Sequence, residues 1–298
     1  MTDACPCCGA LASEAWRTLA YPAAGSTVDA TLLPDGIRIC PDCGFGVAVG
    51  APDDEALARY YAGQYWDGAI DGVAAPRRGS LASELSRLRV EMVKAEKPDG
   101  AWRILDVGAG PGTFGLAALG EPGLQLARYI AVEPDPTIRA GIAAAWPNGA
   151  ATLETYATLG ELPTGTTANL VVSSHVLEHV MDPAAFLTAI CARLEPGGYI
   201  VVDVPNADWR FKPAVFPHLG FFTLEAMSQL LIRQGLEICK LQCFGSLDMW
   251  RRPALPRRAL NKLRRTLNGA RAEIATYEPA RHRADGPWIR GIAKLPLQ

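Results

Sequence analysis

From residue 101 onward, short apolar runs alternate with helix-forming stretches, which confines the chain to a mostly parallel sheet covered by helices on both faces. Strands are predicted at 102–107, 129–133, 150–155, 170–174, 199–204, 236–244 and 288–295, with helices near 113–120, 135–145, 182–194 and 223–235. Residues 246–286 separate the last two strands, and 256–275 within them have the composition of an Arg-rich helix. Upstream, residues 53–97 read as two helices. The first opens at Asp53-Asp54-Glu55, and the second carries Leu81, Leu85, Leu88 and Met92 at helical spacing. Between them stand Tyr60, Tyr61, Tyr65 and Trp66, then a loop with Gly68, Gly72, Pro76 and Gly79. Residues 1–50 are rich in turns and hold five of the eight cysteines. The expected organisation is therefore a cysteine-bearing domain over 1–50, a helical and aromatic linker over 51–100, and an α/β domain over 101–298 with a basic insertion at 246–286.

The balance of 49% hydrophobic and 20% charged residues is that of a globular protein with a sizeable core. No apolar run reaches the roughly 18 residues a membrane span requires. The start, Met1-Thr2-Asp3-Ala4-Cys5, lacks the basic and apolar regions of a signal peptide, so a cytoplasmic location is expected. The net charge of −2 conceals an asymmetry. Residues 251–298 hold 12 Lys and Arg against 3 Asp and Glu, a net +9 that leaves −11 on the remainder. A basic arm on an acidic body suits an anionic partner; a solvated helix face made soluble by arginine explains the pattern as well.

Cys5-Pro6-Cys7-Cys8-Gly9 and Cys40-Pro41-Asp42-Cys43-Gly44 both contain C-P-x-C-G. Two cysteines three apart put both sulfurs on one side of a tight turn, and the glycine that follows permits a positive φ. Cys5, Cys8, Cys40 and Cys43 can thus supply four thiolates to a structural zinc, with no coordination position left open for chemistry. The 31-residue spacer between the knuckles calls for a small β-element, and Cys7 falls outside the ligand set. Disulfides fit a cytoplasmic chain poorly. Cys191, Cys239 and Cys243 lie in apolar contexts and read as core.

The run from Ile104 to Gly115 is a strand, a glycine turn and a helix start: Asp106 on the strand, then Gly108, Gly110 and Gly112. Such a turn lets a ligand lie against backbone near a helix N-terminus. Some twenty residues on, Glu133 closes the next strand with a carboxylate placed to hold ribose hydroxyls. A dinucleotide oxidoreductase shares this topology, and Gly110-x-Gly112-x-x-Gly115 fits its fingerprint formally, although the turn already begins at Gly108.

Asp106 ahead of the glycines resembles motif I of the class I S-adenosylmethionine (SAM)-dependent methyltransferases, in which an acid precedes G-x-G-x-G. The stretch from Asn169 to Val180 is similar to that family's fourth strand and following turn, the run Leu194-Glu195-Pro196-Gly197-Gly198 to its L-x-P-G-G segment, and Val204-Pro205-Asn206 to the exit of strand five. These matches, in order over roughly residues 100–245, imply a seven-stranded Rossmann-like methyltransferase sheet behind a small zinc-ribbon-like domain. They imply SAM as methyl donor, bound by Asp106, Gly108, Gly110, Gly112, Glu133 and His175. The family often has Asp where Asn169 stands, and adenine contacts are unassigned.

His175-x-x-Glu178-His179 also fits the H-x-x-E-H signature of inverzincin peptidases, in which two histidines on one helix share a zinc. Under the methyltransferase resemblance the segment lies beside the methyl donor, where His179 is a candidate general base; a histidine that fixes the turn is the competing role. His218, in Pro217-His218-Leu219-Gly220-Phe221-Phe222-Thr223, is the second catalytic candidate, with Thr223 capping the next helix. The tyrosine cluster is read chiefly as packing. The layout resembles bacterial methyltransferases with a four-Cys segment, some of which act on nucleotide-linked sugars or glycans. The expected partner is thus a small, phosphate-bearing acceptor, with Arg251, Arg252, Arg257, Arg258, Arg264 and Arg265 as anion ligands. Two further readings stand beside it: an RNA methyltransferase, disfavoured by the acidic body, and a non-catalytic partner protein that keeps the SAM fold. The sequence is silent on oligomeric state.

Overall fold

A computed structural model of the 298-residue chain describes residues 4–11, 15–26, 28–63, 65, 81–97, 100–245 and 286–297. Within these, Arg17–Ala20 (β1), Gly36–Ile39 (β2) and Gly46–Val49 (β3) precede helices Asp54–Gly63 (α1) and Leu81–Glu96 (α2). The α/β part runs Trp102–Val107 (β4), Thr113–Gly120 (α3), Leu126–Val132 (β5), Pro136–Ala145 (α4), Thr152–Tyr156 (β6), Ala168–Ser174 (β7), Pro183–Cys191 (α5) and Leu194–Pro205 (β8). Gly220–Phe221 (β9), Leu224–Arg233 (α6), Glu237–Phe244 (β10) and Trp288–Lys294 (β11) complete it.

Seven strands form one sheet in the order β10-β11-β8-β7-β4-β5-β6. The pairs from β6 through to β8 are parallel, while β11 runs antiparallel to both β8 and β10. The strand periodicity of two sorts the apolar side chains onto opposite faces. Leu105, Val107, Ile130, Val171 and Val202 pack toward Leu187 of α5 and Leu230 and Leu231 of α6. Ile104, Tyr129, Leu170 and Val201 pack toward Val90 of α2, Phe114 of α3 and Ile142 of α4. Asp135 and Asp182 start α4 and α5 alike, each accepting two backbone N–H bonds ahead of a proline in the first turn.

The second sheet is antiparallel, in the order β1-β2-β3-β9, and it joins the front of the chain to the body. Its first two strands are the β-element expected between the knuckles, but its fourth comes from residues 220–221. Cys5, Cys40, Cys43 and Phe45 belong to the same buried cluster as Leu105 and Met227. Helix α6 spans both knuckles: Thr223, its N-cap, donates to Cys43 O at 2.6 Å, and Arg233 near its end donates to Cys8 O at 3.5 Å. The fifth strand starts earlier than predicted. Leu194 pairs with Ala168, the register then shifts, and Gly197 at φ 74 carries the L-x-P-G-G segment through that irregularity. The proposed 256–275 helix and the six arginines of the arm lie outside the described residues, as do Trp66 and the glycine loop after it.

Candidate functional site

At the carboxyl ends of β4, β5 and β7 lies a cavity of about 600 Å³ whose wall includes Asp106, Gly108, Gly110, Glu133, His175 and His179. Open parallel sheets bind ligands at this edge, and the volume suits a cofactor-sized molecule. Gly108, Gly110 and Gly112 have φ of 72°, 52° and 71°, left-handed values that a side chain resists. A Cβ on Gly108 would sit 2.3 Å from Val176 Cγ2. Glu133 is 4% exposed; one oxygen accepts from Gly110 N at 2.9 Å, the other from Asp135 N at 3.2 Å. The carboxylate is thereby pinned beside the turn. Burial pushes Asp106 up to about 6, and Glu133 adds to the rise; the Tyr129 hydroxyl, donating at 2.6 Å, and Arg89 oppose it. Gly115 matters for packing: a Cβ there would press into the Tyr129 ring at 2.6 Å.

Behind this wall is an ion cluster that the sequence did not announce. Asp203, at 0% exposure, accepts from Arg290 Nε at 2.5 Å and Nη2 at 2.9 Å, and from Arg89 Nε at 2.7 Å. Burial works against the carboxylate, but the two guanidiniums hold it well below its ordinary value. The partners come from α2, β8 and β11, so no local pattern marks them.

Across the cavity, His175 follows β7 with φ 60 and donates its backbone N–H to Asp203 O. Its Nδ1 is 3.1 Å from Glu178 Oε1. Glu178 is 1% exposed, and its Oε2 has no hydrogen-bond partner among the described residues. Burial opposes its ionisation, yet the His175 contact and the neighbouring imidazoles hold the carboxyl below the usual glutamate value. His179 lies with Nδ1 3.4 Å from Pro217 O, Nε2 3.8 Å from Glu178 Oε1, and its ring 4.9 Å from that of His218. Burial pushes His179 down to about 4, so its imidazole is neutral at pH 7. Asp208 Oδ2 is 2.9 Å from His218 Nδ1. Tyr61 and Tyr65 set their rings edge-on to His179 at 5.7 and 5.8 Å and line the cavity. The tyrosines read chiefly as packing thus face the site as well.

His175 and His179 are not paired as the peptidase signature requires. A 3₁₀ turn at Leu177–His179, rather than an α-helix, follows the left-handed His175. Among the described residues the clusters with metal-ligand spacing are Cys5-Cys8-Cys40-Cys43 and Glu178-His179-His218. Asn169 sits at the far end of β7, accepting from Arg103 N and donating to Ala101 O, both at 2.9 Å. Both an acceptor and a donor are used there, which an amide supplies and a carboxylate does not.

In the cysteine cluster, Cys5 and Cys43 sulfurs are 3.6 Å apart and Cys8 and Cys40 sulfurs 3.7 Å. A tetrahedron with about 2.3 Å zinc–sulfur bonds has edges of about 3.8 Å, so the donor set fits zinc. Gly9 and Gly44 take φ of 79° and 74°, and each donates its N–H back to the first cysteine of its knuckle, Cys5 or Cys40. The hydrogen bond between them drives the Cys5 thiol down and Cys43 up, as when two sulfurs share one proton; burial pushes Cys40 up to about 11. Cys7 is buried beside the cluster and outside it.

A family model described as a methyltransferase domain matches residues 75–241, more than half of the chain. The chain belongs to this methyltransferase family. SAM is the methyl donor that membership implies, and the cavity and its pinned Glu133 fit it. The methyltransferase is 33% identical over 128 residues to an uncharacterized methyltransferase of Mycobacterium sp. (strain JLS), covering 42% of this chain and 48% of that protein. It is 32% identical over 110 residues to a ubiquinone biosynthesis O-methyltransferase of Bradyrhizobium sp. (strain ORS 278), covering 36% and 42%. The chain thus spans about half the length of the curated relatives it matches or less. Among solved structures, it resembles the complex between the Haloferax volcanii Trm112 methyltransferase activator and a methyltransferase. The TM-score is 0.50 at 16% identity, with 74% of this chain and 91% of that chain covered, which shows the shared fold.

Proposed function

We propose that this chain transfers a methyl group from SAM to a small anionic acceptor, such as a nucleotide-linked sugar, a glycan or a natural-product intermediate. The observation that carries the reading is one cavity bounded by the Gly108–Gly112 turn and Glu133 on one side and by His179 on the other. SAM when bound supplies a methyl group already activated on a sulfonium, so the protein's task is alignment and exclusion of water. Glu133 accepts from the ribose hydroxyls, and the glycine turn lets the donor lie on the backbone. The Asp106 carboxylate faces a ligand that carries both an ammonium and a sulfonium. Tyr61 and Tyr65 cover the opposite wall and offer ring faces to positive charge, worth about 0.5–2 kcal/mol. His175 closes the donor side through its contact with Glu178. At the acceptor end, the neutral His179 and its neighbour His218 promote loss of the proton that an oxygen or carbon acceptor gives up.

Cys5, Cys8, Cys40 and Cys43 hold a structural zinc in this proposal, and the arginines of the 246–286 insertion bind the acceptor's anionic group. Calorimetry with SAM, followed by a mass-spectrometric screen of nucleotide-sugars and anionic metabolites for the gain of one methyl group, tests the function. Tight SAM binding with a methylated product supports it. Neutralising Arg257, Arg258, Arg264 and Arg265 should raise acceptor KM strongly and leave SAM affinity unchanged; an unaltered KM removes the arm from the proposal.

A further inference from the structure

Glu178, His179 and His218 offer one ligand atom each, and these atoms all lie within 4.8 Å of one another. Three features set them apart from a chance grouping. First, Nδ1 of His179 reaches Pro217 O at 3.4 Å, while Nδ1 of His218 lies 2.9 Å from Asp208 Oδ2 as an ion-pair contact without hydrogen-bond geometry. The Pro217 carbonyl favours the Nδ1–H tautomer of His179 and leaves its Nε2 lone pair on the side of Glu178, the outer-shell pattern of a metal-ligating histidine. Second, Glu178 is 1% exposed with Oε2 unpartnered among the described residues, although a buried carboxylate oxygen ordinarily finds a donor or a cation. Third, His179 Nε2 and Glu178 Oε1, at 3.8 Å, approach the separation of about 3.0–3.4 Å between ligands that share an ion at about 2.1 Å.

We propose that these three residues form a second metal site, separate from the four cysteines, which takes a divalent transition-series cation at the acceptor end of the cavity. Two imidazoles and a carboxylate suit zinc, iron(II), cobalt(II) or manganese(II), and three protein ligands leave positions open to a substrate. The Tyr61 hydroxyl, buried on the same wall and without a hydrogen-bond partner among the described residues, is available to water or substrate on the ion. A cation there recognises an acceptor through oxygen, a hydroxyl or a carboxylate, and when bound it occupies the imidazole lone pairs and takes over from His179 and His218 the task of acidifying that oxygen. That role, unlike the binding of metal, rests on the methyl-transfer reading.

The 298-residue chain, stripped with a chelator and re-equilibrated with Zn²⁺, is measured by elemental mass spectrometry. Two equivalents per chain are expected in the native sequence. Glu178→Gln, nearly isosteric, should weaken the second equivalent at least tenfold, and His218→Ala should abolish it. Titration with Co²⁺ separates the sites: thiolate-to-cobalt charge transfer belongs to the cysteines, whereas the second equivalent adds absorption without a sulfur band. One equivalent in the native protein overturns the proposal, as does a second equivalent that Glu178→Gln leaves at full affinity. Calorimetry with SAM on the same samples judges the methyl-transfer reading independently, because the metal count requires neither donor nor acceptor.

Discussion

A methyl group added at residue 108 meets Val176 Cγ2 at 2.3 Å and places a side chain at φ 72. The left-handed backbone alone costs about 1–2 kcal/mol, and the displaced turn withdraws from the ligand. Gly108→Ala should therefore weaken SAM binding at least tenfold by calorimetry, a loss of about 1.4 kcal/mol; unchanged affinity would separate the turn from the donor site. Asp106 sets a pH dependence. Its carboxyl, pushed up to about 6 by burial, is charged above that pH and neutral below it. The affinity for cationic SAM should fall as the pH drops through about 6, and Asp106→Asn should flatten that profile while lowering affinity at pH 7.5. A pH-independent affinity in the native protein would show that Asp106 does not face the ligand's charge.

Elements carry the contacts that link residues far apart in sequence. Asp203→Asn leaves the guanidiniums of Arg89 and Arg290 buried without their anion, which should cost about 3–5 kcal/mol in a urea titration at pH 7. A change under 1 kcal/mol would mean that water already screens the cluster. Thr223→Ala removes the α6 cap and the hydrogen bond to Cys43 O together and should cost about 1–2 kcal/mol. The sheet was legible in the sequence because each strand is a short apolar run next to a turn residue; 102–107 coincides with β4 and 113–120 with α3. The glycine turn and Glu133 were legible for the same local reason. What escaped is pairing at a distance. Gly220–Phe221 is too short to read as a strand and becomes one because β3 lies alongside. Asp203 with Arg290, and Asp208 with His218, are chosen by the fold rather than by spacing. The H-x-x-E-H spacing misled in the opposite sense, since it presumes a helix where the chain makes a left-handed residue and a 3₁₀ turn.

At the scale of the molecule, the front of the chain packs against the segment that carries His218 and Leu219, beside Glu178. The Tyr21 hydroxyl donates to His218 O at 2.8 Å, Ala48 N to Leu219 O at 2.8 Å, and Leu219 N to Glu178 O at 2.6 Å. The knuckles grip both ends of α6, whose N-cap follows directly on β9. Loss of the metal proposed for the four cysteines should thus disturb more than residues 1–50. Cys40→Ser together with Cys43→Ser, which removes that ion and leaves Glu178, His179 and His218 in place, should lower Tm by on the order of 5 °C or more, since about 2–4 °C accompanies each kcal/mol lost at this size, and should broaden the His218 imidazole NMR signals. A Tm shift with His218 unmoved would mean that the front segment folds without supporting the site. Among the described residues no helix is long and apolar enough to cross a membrane. The cavity over Gly108 and Glu133 is the proposed donor site, and isothermal titration with SAM probes it most directly. One molecule should bind per chain, displaced by S-adenosylhomocysteine and lost in Glu133→Ala. An absence of heat with SAM, together with saturable binding of NADH, would contradict it.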